Sequence, residues 1–185
     1  VLSYGAEVWG PQLLAAGGDC APSRVHLAFL RQLLGVRQST PKLVLLAEAG
    51  QQALASRWTV QLARFWNAVL SAGEDSLLRC ALQDSCALAQ DMREAPPAKQ
   101  PWAGQVALSL GRLGAQVRID QPADICIRSL TASAAGAITA QLSEAQGTRH
   151  IQYVAATGGG GASGRLPAYL GTIPQRRLWR ALAQL

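Results

Sequence analysis

Apolar positions recur along this chain at helical spacing. Val25, Phe29, Leu30, Leu33 and Leu34 fall three and four residues apart behind Ser23, a good N-cap, and Gly35 supplies a left-handed stop. Ser39-Thr40-Pro41 restarts the chain with Pro at a first helical position, and this short helix runs to Gly50. Leu54, Trp58, Leu62, Phe65, Trp66 and Val69 predict a longer helix over 53–72, with Arg57 and Arg64 projecting together from another face. Glu74 and Asp75 favour the start of the next helix, which carries Leu77, Leu78, Ala81, Leu82 and Leu88 toward Met92. Three prolines within 94–101 then predict a linker. A helix from Trp102 to about 113 follows, and another from Pro122 to Ala145. Four consecutive glycines in 155–164 predict a flexible loop, and a terminal helix begins near Pro174. Strand is expected at most over 1–8 and 150–154. The expected class is all-α: an irregular bundle with at most a short N-terminal strand and a Gly-rich loop before the last helix. Its expected divisions are 1–93, a linker at 94–101, a second helical segment at 102–154, a loop at 155–166 and a basic terminal helix at 167–185.

Composition narrows the class. Of 185 residues, 49% are apolar and 15% charged, which suits one ordinary domain or two very small ones and opposes wholesale disorder. The absence of an unbroken apolar run of about 18 residues excludes a conventional membrane span. The chain opens on Val1-Leu2-Ser3-Tyr4 with no charged region ahead of it, so it reads as an intracellular piece of a longer polypeptide without a signal peptide. Net charge is +3 over 1–73, −2 over 74–100 and +5 over 101–185. Fifteen of the 17 basic residues are Arg, the side chain that suits bidentate contact with phosphate. A pI near 9.7 favours a polyanionic partner, RNA or DNA first. The plain alternative is a compositional bias that also enriches Ala, Gly and Leu.

Candidate chemistry is sparse. Cys20, Cys80, Cys86 and Cys126 match no zinc-knuckle spacing, His26 and His150 stand apart from them, and free thiols are expected rather than a metal site. Gly158–Gly164 contains no Lys, which a phosphate-binding loop requires, so a plain linker is the better reading. The acids are dispersed, and Asp120 and Asp124 beside Pro122 read as charges at a helix start. No catalytic constellation and no cofactor site is expected. Trp58 and Trp66 belong to an apolar helix face and are expected in the core; Trp179, beside Arg180, is the better candidate for stacking on a base.

Three stretches together carry a resemblance: Val1-Leu2-Ser3-Tyr4-Gly5-Ala6-Glu7-Val8-Trp9-Gly10; Phe29 through Pro41 with Ala47-Glu48-Ala49-Gly50; and Arg64-Phe65-Trp66-Asn67. In order and spacing they resemble the segment C-terminal to the polymerase core of LINE-type (non-LTR) retrotransposon reverse transcriptases. The terminal stretch Tyr169-Leu170-Gly171 with Arg176-Arg177-Leu178-Trp179-Arg180 is similar to the helix leading into that family's Cys/His zinc-binding region. The resemblance covers 1–73 and 167–185. The family's Tyr-x-Asp-Asp motif and its Cys/His cluster are absent, and Ala6 and Ala49 depart mildly from its pattern. Two-metal nucleotide addition therefore lies outside this chain.

The resemblance implies a non-catalytic thumb or post-thumb clamp that holds a template–primer duplex, with the polymerase core of the same polypeptide as its neighbour. Sequence-independent holding rests on cations against phosphates. The candidate contacts are Arg24, Arg31, Arg37, Arg57, Arg64, Arg176, Arg177 and Arg180. The Val1–Trp9 stretch would pack against the missing core. Two other readings stand beside it. One is a helical protein-interaction module docking through Val1, Leu2, Trp9 and Leu13; the other is a degenerate element copy without function.

Overall fold

The computed structural model describes residues 3–15, 20–145 and 147–157. They form eight α-helices: α1 (Ala6–Ala15), α2 (Ala21–Leu34), α3 (Lys42–Glu48), α4 (Leu54–Ser71), α5 (Leu77–Asp91), α6 (Trp102–Gly111), α7 (Ile127–Glu144) and α8 (Thr148–Thr157). A 3-10 turn at Pro97–Lys99 lies between α5 and α6, and no strand occurs among the described residues. The fold is all-α, as the spacing predicts. The expected terminal helix, and the Gly-rich loop beyond residue 157, lie outside the described residues. The chain divides into two compact units: Val1–Cys20 with Leu54–Ala134, and Ala21–Ala53 with Ala135–Leu185.

In the first unit, the stretch 1–8 where a strand was expected is a turn over 3–5 and the start of α1 from Ala6, while residues 1 and 2 lie outside the described residues. Gly5 takes φ +65°, a conformation an L side chain rarely adopts, and so turns the chain into the helix. Ala6, Gly10 and Leu14 then recur every four residues on its buried face. Pro11 sits inside α1 without an N–H to give to the Glu7 carbonyl four residues back. The indole of Trp102 donates to that oxygen instead, at 3.0 Å. This exchange docks α6 on α1 where a helix interior would otherwise be weakened.

The long helix α4 carries the core of this unit. Leu62, Ala63 and Trp66 are fully enclosed, and Val106 and Leu110 of α6 and Leu82 and Cys86 of α5 pack in the same cluster. Trp58 meets Trp9 edge to face with ring centroids 4.9 Å apart, and its indole donates to Ser3 Oγ at 3.2 Å. Leu13 packs against the same cluster, so Trp9 and Leu13 of the docking patch considered above are partly buried in their own fold, whereas Tyr4 and Val8 are exposed; Val1 and Leu2 lie outside the described residues.

Helix α7 begins at Ile127, not at Pro122. The preceding backbone is already committed: Trp66 donates its indole N–H to Ala123 O at 3.2 Å, and Asn67 exchanges two hydrogen bonds with the main chain of Ile125. Asp120 serves no helix start. Its carboxylate bonds Arg118 at 2.9 Å, and that hydrogen bond holds its pKa below the usual carboxylate range. Ser76, rather than Glu74 or Asp75, caps α5 by accepting the Arg79 N–H at 3.2 Å. The Pro-rich stretch 94–101 lies within this unit and is tied down by Gln100, whose amide donates to Arg93 O and Ala95 O.

In the second unit, Leu27 and Leu30 of α2, Leu45 and Leu46 of α3, and Ile138 and Leu142 of α7 form the buried cluster. Gly35 and Gly50 end α2 and α3 at φ +64° and +58°, and each is followed by an N–H that bonds back five residues: Val36 to Arg31 O and Gln51 to Leu46 O. Helix α2 begins at Ala21, so Ser23 is buried in its first turn and is not its cap. Where a strand was expected over 150–154 the chain is α8, because Tyr153 and Val154 join the cluster at helical rather than alternating positions, and residues 155–157 continue that helix. Burial first, and the nearby Glu48 carboxylate second, push the Tyr153 phenol above its ordinary range.

Candidate nucleic-acid interface

Five of the eight candidate arginines lie among the described residues: Arg24, Arg31, Arg37, Arg57 and Arg64. Arg176, Arg177 and Arg180 lie outside them. Arg24, Arg37, Arg57 and Arg64 are exposed. None of these four is ion-paired with another described residue; the salt bridge found there joins Arg118 to Asp120.

On α4 the division of faces is complete. Trp58, Leu62, Trp66 and Val69 are buried, whereas Arg57 and Arg64 stand in solvent two turns apart. Seven helical residues rise about 10.5 Å, near the axial rise of three phosphates in one strand at about 3.4 Å each. Gln61 lies between them on the same strip, and its amide donates to the Glu7 carboxylate at 2.7 Å and to Ser3 O at 3.4 Å. That carboxylate weakens the positive field of the ridge. Its presence had no signal in the sequence, since Glu7 and Gln61 are 54 residues apart.

The second row, in the other unit, is less regular. Arg24 is exposed on α2, but Arg31, one face-repeat later, is half-buried. Its guanidinium leans back to Thr40 O at 3.5 Å, and its Nε is enclosed without a hydrogen-bond partner. Arg31 thus braces the α2–α3 connection, leaving Arg24 and Arg37 as the outward cations of that segment.

The four described tryptophans are turned into the fold, while Tyr4 and Phe29 are exposed at 89% and 38%. The indole N–H groups of Trp9, Trp58, Trp66 and Trp102 all donate within the fold, to Tyr4 O, Ser3 Oγ, Ala123 O and Glu7 O. Trp66 stacks on Trp102 with centroids 6.0 Å apart, and Phe65 meets Trp102 edge to face. The core placement expected for Trp58 and Trp66 is what is found, at 1% and 0% exposure. Trp179 lies outside the described residues.

Among the described residues no group of three or more His, Cys, Asp or Glu side chains converges as a metal site. No described helix is long and apolar enough to cross a membrane. Neither a family model, nor a curated protein, nor a solved structure matches the chain.

Proposed function

We propose that this chain holds the sugar–phosphate backbone of a nucleic acid without regard to sequence, as the segment following the polymerase core in a LINE-type reverse transcriptase. The observation that carries the reading is the pair Arg57 and Arg64: exposed, free of ionic partners among the described residues, and set on the outer face of the helix whose inner face is the core. A guanidinium meets a phosphate with two parallel donors, and because its planar fork is already set, less entropy is lost per hydrogen bond formed. Arg24 and Arg37 add a second basic segment. The fragment contributes grip, and the chemistry belongs to a neighbouring polymerase core.

The reading makes binding indifferent to base sequence. Fluorescence anisotropy of the full chain with primer–template duplexes of equal length and different sequence tests it. Equal affinities support the reading; a strong preference for one sequence, or no binding at low salt, overturns it.

A further inference from the structure

Helix α5 presents an apolar face that the fold leaves open. Leu77, Leu88 and Met92 are 88%, 54% and 39% exposed, and with Ala81 they recur on one side of the helix. Beside that stripe a cavity of about 220 Å³ opens between helices of the first unit, lined by Val8, Phe65, Val69, Leu78 and Trp102. Val8 and Leu78, at 67% and 54% exposure, form its outer lip. This hollow is open to solvent and is lined almost wholly by apolar side chains, so it offers a seat to an apolar side chain from outside. Five large exposed apolar groups, Leu77, Leu88 and Met92 on the stripe and Val8 and Leu78 at the lip, form with the hollow the kind of groove that receives an amphipathic helix.

Charge selects the occupant. Asp84 and Asp91 are exposed, seven residues apart, along the same side of α5 as the stripe. Exposed Glu74 and Asp75 precede the helix and exposed Arg93 and Glu94 follow it, so five carboxylates face one exposed cation; Arg79, the one basic group on the helix itself, is half-buried with its guanidinium donating to Leu70 O. An acidic rim repels a nucleic acid and an anionic lipid surface alike. A second copy is also disfavoured, because pairing two α5 faces about a two-fold axis sets each Asp84 near its own copy. We infer that the outward face of α5 docks a basic amphipathic helix of a partner protein, its apolar residues on the Leu77–Leu88–Met92 stripe and its Lys or Arg groups against Asp84 and Asp91.

Met92 is the single methionine of the chain, so methyl-labelled methionine gives one resonance on the face itself. The probe is a Leu/Lys amphipathic helical peptide of about 18 residues, compared with its Leu/Glu counterpart. The Lys peptide is expected to shift the Met92 methyl saturably, and the Glu peptide to bind roughly tenfold or more weakly. Leu88→Glu should weaken the Lys peptide by a similar factor, and the paired change Asp84→Lys with Asp91→Lys should reverse the preference. All three positions are exposed, so thermal melting should be unchanged in both variants. The proposal is overturned if both peptides bind equally or neither moves the methyl. It is likewise overturned if a DNA duplex, an anionic vesicle or self-association at high protein concentration moves that resonance as strongly.

Discussion

Replacing Asn67 tests how the first unit is held together. Its Nδ2 donates to Ile125 O at 2.8 Å, and its Oδ1 accepts the Ile125 N–H at 2.9 Å. Ile125 is 9% exposed, so in Asn67→Ala both of its backbone groups lose their partner in a site with little access to water. Each such hydrogen bond contributes about 1 kcal/mol net, and each of the two unsatisfied groups costs about 1–3 kcal/mol, which gives a loss of roughly 2–6 kcal/mol. For a cooperative unit of about 100 residues that lowers Tm by roughly 10 °C or more. Circular dichroism melting measures it, and hydrogen exchange at the Ile125 amide localises it. Asn67→Asp supplies a second, sharper readout. The new carboxylate still accepts from the Ile125 N–H but faces the Ile125 carbonyl, to which the neutral acid can donate. Folding therefore raises the pKa of that group above its unfolded value of about 3.9. A raised pKa gives stability that is present below the unfolded value and lost as pH rises through the folded one. The gap between Asn67→Asp and the native chain should thus be larger at neutral pH than near pH 4. An alanine variant melting within about 2 °C of the native chain, or a pH-independent gap for the aspartate variant, refutes the reasoning.

The same logic extends to other sites. Trp58→Ala removes a side chain 1% exposed and should cost roughly 3–5 kcal/mol, read by urea unfolding. Gly104→Val should destabilise by about 1–3 kcal/mol, since a Cβ at that position meets Gln100 Oε1, Gln100 Cβ at 3.3 Å and Ala89 Cβ at 3.4 Å, and the Gln100 amide is held by its own bonds to Arg93 O and Ala95 O. Because the Tyr153 phenol is held above its ordinary range by burial and by Glu48, its stabilisation is complete below about pH 10 and declines above it; Tyr153→Phe should remove that alkaline decline in a pH series of unfolding curves. Glu7→Gln takes a carboxylate from beside the Arg57–Arg64 ridge and should tighten duplex binding by roughly two- to fivefold in an anisotropy titration.

What was legible in the sequence was whatever local periodicity encodes. The spacing of Leu54, Trp58, Leu62, Trp66 and Val69 placed α4 to within a residue at each end, and Gly35 and Gly50 marked the ends of α2 and α3. It failed where a distant group decides the outcome. The stretch before α7 stays out of the helix because Trp66 and Asn67, some 57 and 58 residues earlier, hold its main chain. Helix α1 tolerates Pro11 because Trp102, 95 residues from Glu7, satisfies the carbonyl that Pro11 leaves free. The candidate site divides the same way. Outward placement of Arg57 and Arg64 followed from the helix period, but the half-burial of Arg31 and the carboxylate of Glu7 beside the ridge arise only from tertiary contacts. The Arg-Phe-Trp-Asn stretch that carries part of the family resemblance has a structural use here, with Phe65 and Trp66 packed on Trp102 and Asn67 clasping Ile125.

Phosphate gripping by α4 is tested most directly by the salt dependence of duplex affinity, native chain against the double variant Arg57→Ala with Arg64→Ala. Each lost phosphate contact should reduce the steepness of log affinity against log salt by about 0.9, so the pair should flatten it by about 1.8 and weaken binding to all sequences alike. An unchanged slope in the double variant contradicts the account.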